Sequence, residues 1–83
     1  MSYNLHYWDE ARAQLKALDK SVLVPILKKI RHLKDNPQLQ GEPLSNVLKN
    51  KRRLHVGKYR VVYLIEGENV IIARVGHRKD VYE

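Results

Sequence analysis

Tyr3, Leu5 and Tyr7 alternate with Asn4 and His6, the period of a half-buried strand over residues 3–8. Asp9 then offers a helix N-cap, and Ala11, Leu15 and Leu18 follow at helical spacing. Asp19 caps a second helix after a very short turn. Its apolar stripe is Leu23, Ile26, Leu27, Ile30 and Leu33, with Lys28, Lys29, His32 and Lys34 towards water. Pro25 removes a backbone donor, so this helix is expected to be regular only from about that residue. Asp35-Asn36-Pro37 ends it, and residues 36–47 read as a loop anchored by Leu39 and Leu44. Strands are expected at Arg52–Val56, Tyr59–Ile65 and Asn69–Val75, joined at Gly57-Lys58 and around Gly67. The layout is α+β: an N-terminal strand, a two-helix hairpin, then a three-stranded antiparallel meander with the helices on one face of the sheet.

Turn geometry assigns the faces. A two-residue turn at Gly57-Lys58 sets Val56 opposite Tyr59 and His55 opposite Arg60. Directly opposed residues point to the same side. One face then holds Arg53, His55 and Arg60, and the core side holds Leu54, Val56, Tyr59 and Val61. A two-residue turn at Gly67-Glu68 would set Arg74 opposite Val61, inside the core, where an unpaired charge is costly. A three-residue loop over 66–68 avoids this by placing Arg74 opposite Arg60, with Ile71, Ala73 and Val75 in the core. That second register is the one expected. It leaves Val62, Leu64, Val70 and Ile72 as an apolar patch on the outer face, a candidate seat for a protein partner.

Length and charge narrow the function. The chain has 83 residues, 43% of them hydrophobic, which is one domain with one modest core. Its net charge is +7, split as +2 over residues 1–45 and +5 over 46–83. The second half therefore carries the chemistry, and a polyanionic partner is expected. The longest apolar run, Val61 to Ile65, is far short of the ~20 residues that cross a membrane, so no membrane role is expected. The N-terminus shows no basic start followed by an apolar stretch, and cysteine is absent, which makes the cytoplasm the expected compartment.

Motifs exclude several chemistries. The four histidines, at 6, 32, 55 and 77, have no metal-binding spacing, so no metal and no cofactor is expected. There is no nucleophile elbow, no phosphate loop and no dinucleotide fingerprint. RNA cleavage by the substrate's own 2′-hydroxyl needs neither metal nor protein nucleophile. It needs a proton acceptor, a proton donor and cations for the developing charge. A sheet face bearing Arg53, His55, Arg60 and Arg74 has these ingredients, although any one arginine on an open face is usually just solvated.

The runs R-x-H-V-G-x-Y-R-V-V-Y at Arg53–Tyr63 and V-G-H-R-x-x-V-Y at Val75–Tyr82 resemble the RelE/ParE toxin superfamily. L-K-D-N-P and the G-x-P-L segment at Gly41–Leu44 extend the resemblance over almost the whole chain. It implies a RelE-like toxin of a type II toxin–antitoxin system: a metal-independent endoribonuclease that cuts mRNA on the ribosome, inhibits translation and is silenced by a RelB-like antitoxin. The toxin–antitoxin complex would also bind operator DNA. By this resemblance Arg60 and Arg78 hold and stabilise the scissile phosphate, with Arg53 helping. Tyr82 takes the 2′-hydroxyl proton or stacks on a base. Arg53 and His55 fall where the ribosome-dependent members carry two lysines, and His55 is expected, from its place on the cationic face, to protonate the leaving 5′-oxygen. Arg74, Arg52, Lys58 and Lys51 are expected to bind the substrate backbone. The alternatives are a ParE-like toxin that inhibits DNA gyrase without cutting, and a plain nucleic-acid-binding module.

Overall fold

The computed structural model describes residues 2–43 and 51–79. Strand β1 (Asn4–Tyr7) leads into α1 (Asp9–Lys16) and α2 (Lys20–His32); then come a single turn of helix, α3 (Pro37–Gln40), and a two-residue strand, β2 (Glu42–Pro43). The long strands are β3 (Lys51–Val56), β4 (Tyr59–Glu66) and β5 (Asn69–His77). They form one sheet in the order β1-β5-β4-β3-β2, with β1 parallel to β5 and the other pairs antiparallel. The α+β class and the helical hairpin on one face are as expected. The segment read as a loop over 36–47 instead contains α3 and β2, and its residues 44–47, Leu44 included, lie outside the described residues.

Helix boundaries differ in two details. Trp8 is the N-cap of α1 and Asp9 its first residue, so Asp9 acts through its charge in the first turn. Asp19 is the N-cap of α2, yet makes no side-chain capping bond. Helix α2 is regular from Lys20, and Pro25 sits inside it. Because Pro25 has no N–H, the Ser21 carbonyl loses its usual helical donor.

Ala11, Leu15, Ile26, Ile30 and Leu33 from the helices meet Leu54, Val61, Tyr63, Val70, Ile72 and Val75 from the sheet in one cluster. Val56 and Tyr59 pack against it, so the face assigned to β3 and β4 holds. The β4–β5 register does not match the expectation. Glu66 pairs with Asn69 across a two-residue turn, and a β-bulge between Ile72 and Arg74 shifts the pairing. Tyr63 faces Ile72, but Val62 faces Arg74 and Val61 faces Val75. The extra residue at Ala73 reverses the alternation, so Ile72 and Val75 both enter the core while Arg74 turns away from it. Neither Arg74 opposite Val61 nor Arg74 opposite Arg60 occurs, and Ile71 lies outside the core cluster. The outer apolar patch dissolves for the same reason: Val70 and Ile72 are completely buried in the core. Gly57 and Gly67, each with φ of 60°, supply the positive φ at the first central position of both hairpin turns.

Candidate active site

Strands β3, β4 and β5 present their outer residues in rows. His55, Arg60 and Gly76 form one row across the sheet, and Gly76 adds no side chain beside Arg60. Arg53, Val62 and Arg74 form the next, with Val62 only 2% exposed between its two arginine neighbours. Lys51 opposite Leu64 lies one row further out. The structure therefore brings His55, Arg60, Arg53 and Arg74 onto one face, with His55 exposed and the three arginines partly so. Lys58 occupies the Gly57-Lys58 turn at the end of this face. Arg78 is brought to the same end, because its N–H donates to the Lys58 carbonyl at 2.8 Å. Tyr82 lies outside the described residues.

Arg52 does not belong to this face. It alternates with Arg53 and points to the side of Leu54, where its guanidinium donates to the Gln38 and Gly41 carbonyls. Opposite it, the fully buried Tyr63 donates its hydroxyl to the Pro37 carbonyl at 2.6 Å. Arg52 and Tyr63 thus fasten α3 and Gly41 to the sheet, and the guanidinium expected to bind substrate is engaged there as a structural clamp. Burial raises the Tyr63 phenol above its ordinary range, although the hydrogen bond and charge of Arg52 pull the other way. Tyr7 is raised by burial as well, opposed by Arg31 and Arg12. Both phenols stay protonated at neutral pH, so neither serves as a proton acceptor.

Two carboxylates attend the cations, and sequence reasoning missed both. Glu42 on β2 lies 3.5 Å from Arg53, and Glu10 at the start of α1 lies 3.5 Å from Arg74. The carboxylates are at least half exposed, so each pair contributes ~0–1 kcal/mol and can be exchanged for a phosphate. No spacing in the sequence signals them; chain topology alone makes Glu42 a cross-strand partner of Arg53. His77 was also passed over, although it lies inside the G-H-R motif. Its ring packs edge-on against Tyr59 at 5.5 Å, and its Nδ1 accepts the Lys79 N–H at 3.2 Å. That leaves Nε2 to carry the proton of the neutral ring. Among the described residues, no three His, Asp or Glu side chains converge in a way that could hold a metal ion.

Residues 5–82 match the family described as the ParE toxin of the type II toxin–antitoxin system, parDE. The chain belongs to this family. It is 32% identical over 85 residues to the toxin RelG of Mycobacterium tuberculosis, spanning 99% of this chain and 98% of that one. Among solved structures, it is similar to a chain of the M. tuberculosis toxin–antitoxin complex RelBE2. The TM-score is 0.82 at 28% identity, over 94% of this chain and 100% of that one. Its fold is also that of the intact Escherichia coli RelBE complex, with a TM-score of 0.82 at 21% identity over 92% and 96% of the two chains. The chain is accordingly a toxin of a type II toxin–antitoxin system of the RelE/ParE family. Within this family member, Arg53, Arg60, Arg74 and Lys51 sit on the outer face and Lys58 and Arg78 at its end, whereas Arg52 points to the opposite side.

Proposed function

We propose that this toxin is a metal-independent endoribonuclease that cleaves mRNA on the ribosome and thereby stops translation. The observation that carries the reading is the row of His55 and Arg60, directly opposed on an open face, with Arg53 and Arg74 in the adjacent row. The 2′-hydroxyl of the substrate attacks the neighbouring phosphorus, a 2′,3′-cyclic phosphate forms, and the bond to the 5′-oxygen breaks. Arg60 and Arg78 bind the phosphate and neutralise the charge it gains, with Arg53 assisting. His55 gives its proton to the departing 5′-oxygen. Tyr82 accepts the 2′-hydroxyl proton or stacks on a base. Lys58, Arg74 and Lys51 hold the flanking backbone. Action on ribosomes places the toxin in the cytoplasm.

The partner in this reading is an antitoxin resembling RelB, since relatives of the same fold are seen in RelB–RelE complexes. Acidic groups of the antitoxin would replace Glu42 and Glu10 on Arg53 and Arg74, and the complex would bind operator DNA. The deciding experiment maps mRNA 3′ ends on programmed ribosomes with and without the toxin. New ends that vanish in Arg60→Ala support the reading, and intact mRNA at inhibitory toxin concentrations refutes it. A ParE-like reading, inhibition of DNA gyrase without cleavage, is favoured by the description of the matching family and by the two carboxylates that occupy part of the cationic face. Loss of gyrase supercoiling alongside intact mRNA would establish it.

A further inference from the structure

Two furrows adjoin on the flank of α2, away from the outer sheet face. The first, of about 290 Å³, lies between α2 and the β3–β4 hairpin. Val22, Pro25, Ile26, Val56 and Tyr59 make its walls apolar, and Lys58 stands at its mouth. Arg78 is held at the same end by its backbone bond to Lys58. The second furrow, of about 370 Å³, starts from Pro25 and runs past Lys28, Lys29 and His32 to Gln40. Pro25 borders both, so the two adjoin at that residue. From Val22 to His32 the helix rises ~15 Å.

Charge and shape select the occupant. No carboxylate lines either furrow among the described residues, while Lys58, Lys28 and Lys29 are all exposed. An apolar floor bounded by cations at both ends matches a single strand of nucleic acid, whose bases lie flat on apolar surface while its phosphates follow the charges. A duplex would keep its bases stacked inside and leave the apolar floor uncovered. Pro25 points the same way. A proline inside a helix costs ~3 kcal/mol, and this one is exposed, so core packing does not account for it.

We propose that this furrow is a track for single-stranded RNA. It continues the candidate active site around the Gly57-Lys58 turn, with bases against Tyr59 and Pro25 and phosphates at Lys58, Lys28 and Lys29. The proposal rests on the endoribonuclease reading and extends its substrate footprint to the helical side of the molecule.

The test uses the full chain and uncleavable 2′-O-methyl oligoribonucleotides of about 4 and about 12 nucleotides, which bracket a single-strand site. The longer oligomer is expected to bind about tenfold more tightly at low salt, because it reaches cations that the shorter one cannot. In Lys28→Ala/Lys29→Ala most of that gain disappears, and the salt dependence of the long oligomer flattens by a slope of about 1.4. Oligomers carrying 4-thiouridine should crosslink to peptides containing Pro25 or Tyr59. Equal affinity for the two lengths, or a length-dependent gain that survives the double substitution, overturns the track while leaving cleavage at Arg60 standing. Protection of Lys28 and Lys29 by poly-glutamate but not by RNA overturns it in favour of an acidic protein partner. Failure to bind either oligomer overturns the track alone, since the cleavage proposed above takes place on the ribosome and is read by 3′-end mapping there.

Discussion

Tyr63→Phe removes one buried oxygen from the sheet and measures what holds α3 in place. The side chain is completely buried, and its hydroxyl gives the Pro37 carbonyl a donor at 2.6 Å. Phenylalanine keeps the ring packing but leaves that carbonyl without this donor, which costs ~1–3 kcal/mol. A chain of this length has a total stability of roughly 4–12 kcal/mol, so the loss is a sizeable share. Urea unfolding followed by circular dichroism should show it, and Tm should fall by at least ~4 °C. The pH dependence adds a second check. Burial raises the Tyr63 pKa in the folded chain, whereas the unfolded chain ionises near ~10. The raised phenol thus gives stability that is intact below ~10 and is lost as pH rises through the folded value. The phenylalanine chain lacks this titration, so the gap between the two proteins should narrow in alkali. A stability change below ~0.5 kcal/mol, or a gap that stays constant from neutral to strongly alkaline pH, would refute the clamp.

Gly41→Ala should destabilise the fold by ~1–3 kcal/mol in the same unfolding assay, since a Cβ there would press on the Tyr63 hydroxyl and the Arg53 carbonyl. Arg52→Ala should lower stability by at least ~1.5 kcal/mol, because charged hydrogen bonds to two backbone carbonyls are lost. If it weakens RNA binding without changing stability, Arg52 returns to the substrate-binding set. Arg60→Ala should lose ribosomal mRNA cleavage by roughly two orders of magnitude or more with its melting curve kept, and wild-type rates would sink the assignment. His55→Ala should slow cleavage by ~10²–10⁴-fold. A 5′-bridging phosphorothiolate substrate, whose leaving group needs no proton, should recover the rate, and absence of recovery would show that His55 is not the proton donor.

Elements and faces with a local cause were legible in the sequence. The alternation Tyr3-Leu5-Tyr7, the stripe from Leu23 to Leu33 and the Gly57-Lys58 turn each act over a few residues, and His55 does face Arg60 across that turn. Turn geometry and the resemblance together named seven arginines and lysines for the site, and six of them do occupy the outer face or its end. Tertiary structure decided what depends on residues far apart in the chain. The bulge at Ala73 arises because Ile72 and Val75 both gain by burial while Arg74 must leave the core, a conflict no single turn resolves. Arg52 became a clamp because Gln38 in α3 and Gly41 just after it present carbonyls where its guanidinium reaches, 14 and 11 residues away in the sequence. Glu42 and Glu10 met Arg53 and Arg74 only because strand order laid their elements side by side. A periodic pattern tells a residue which way to face; the partner it meets there depends on how the whole chain closes.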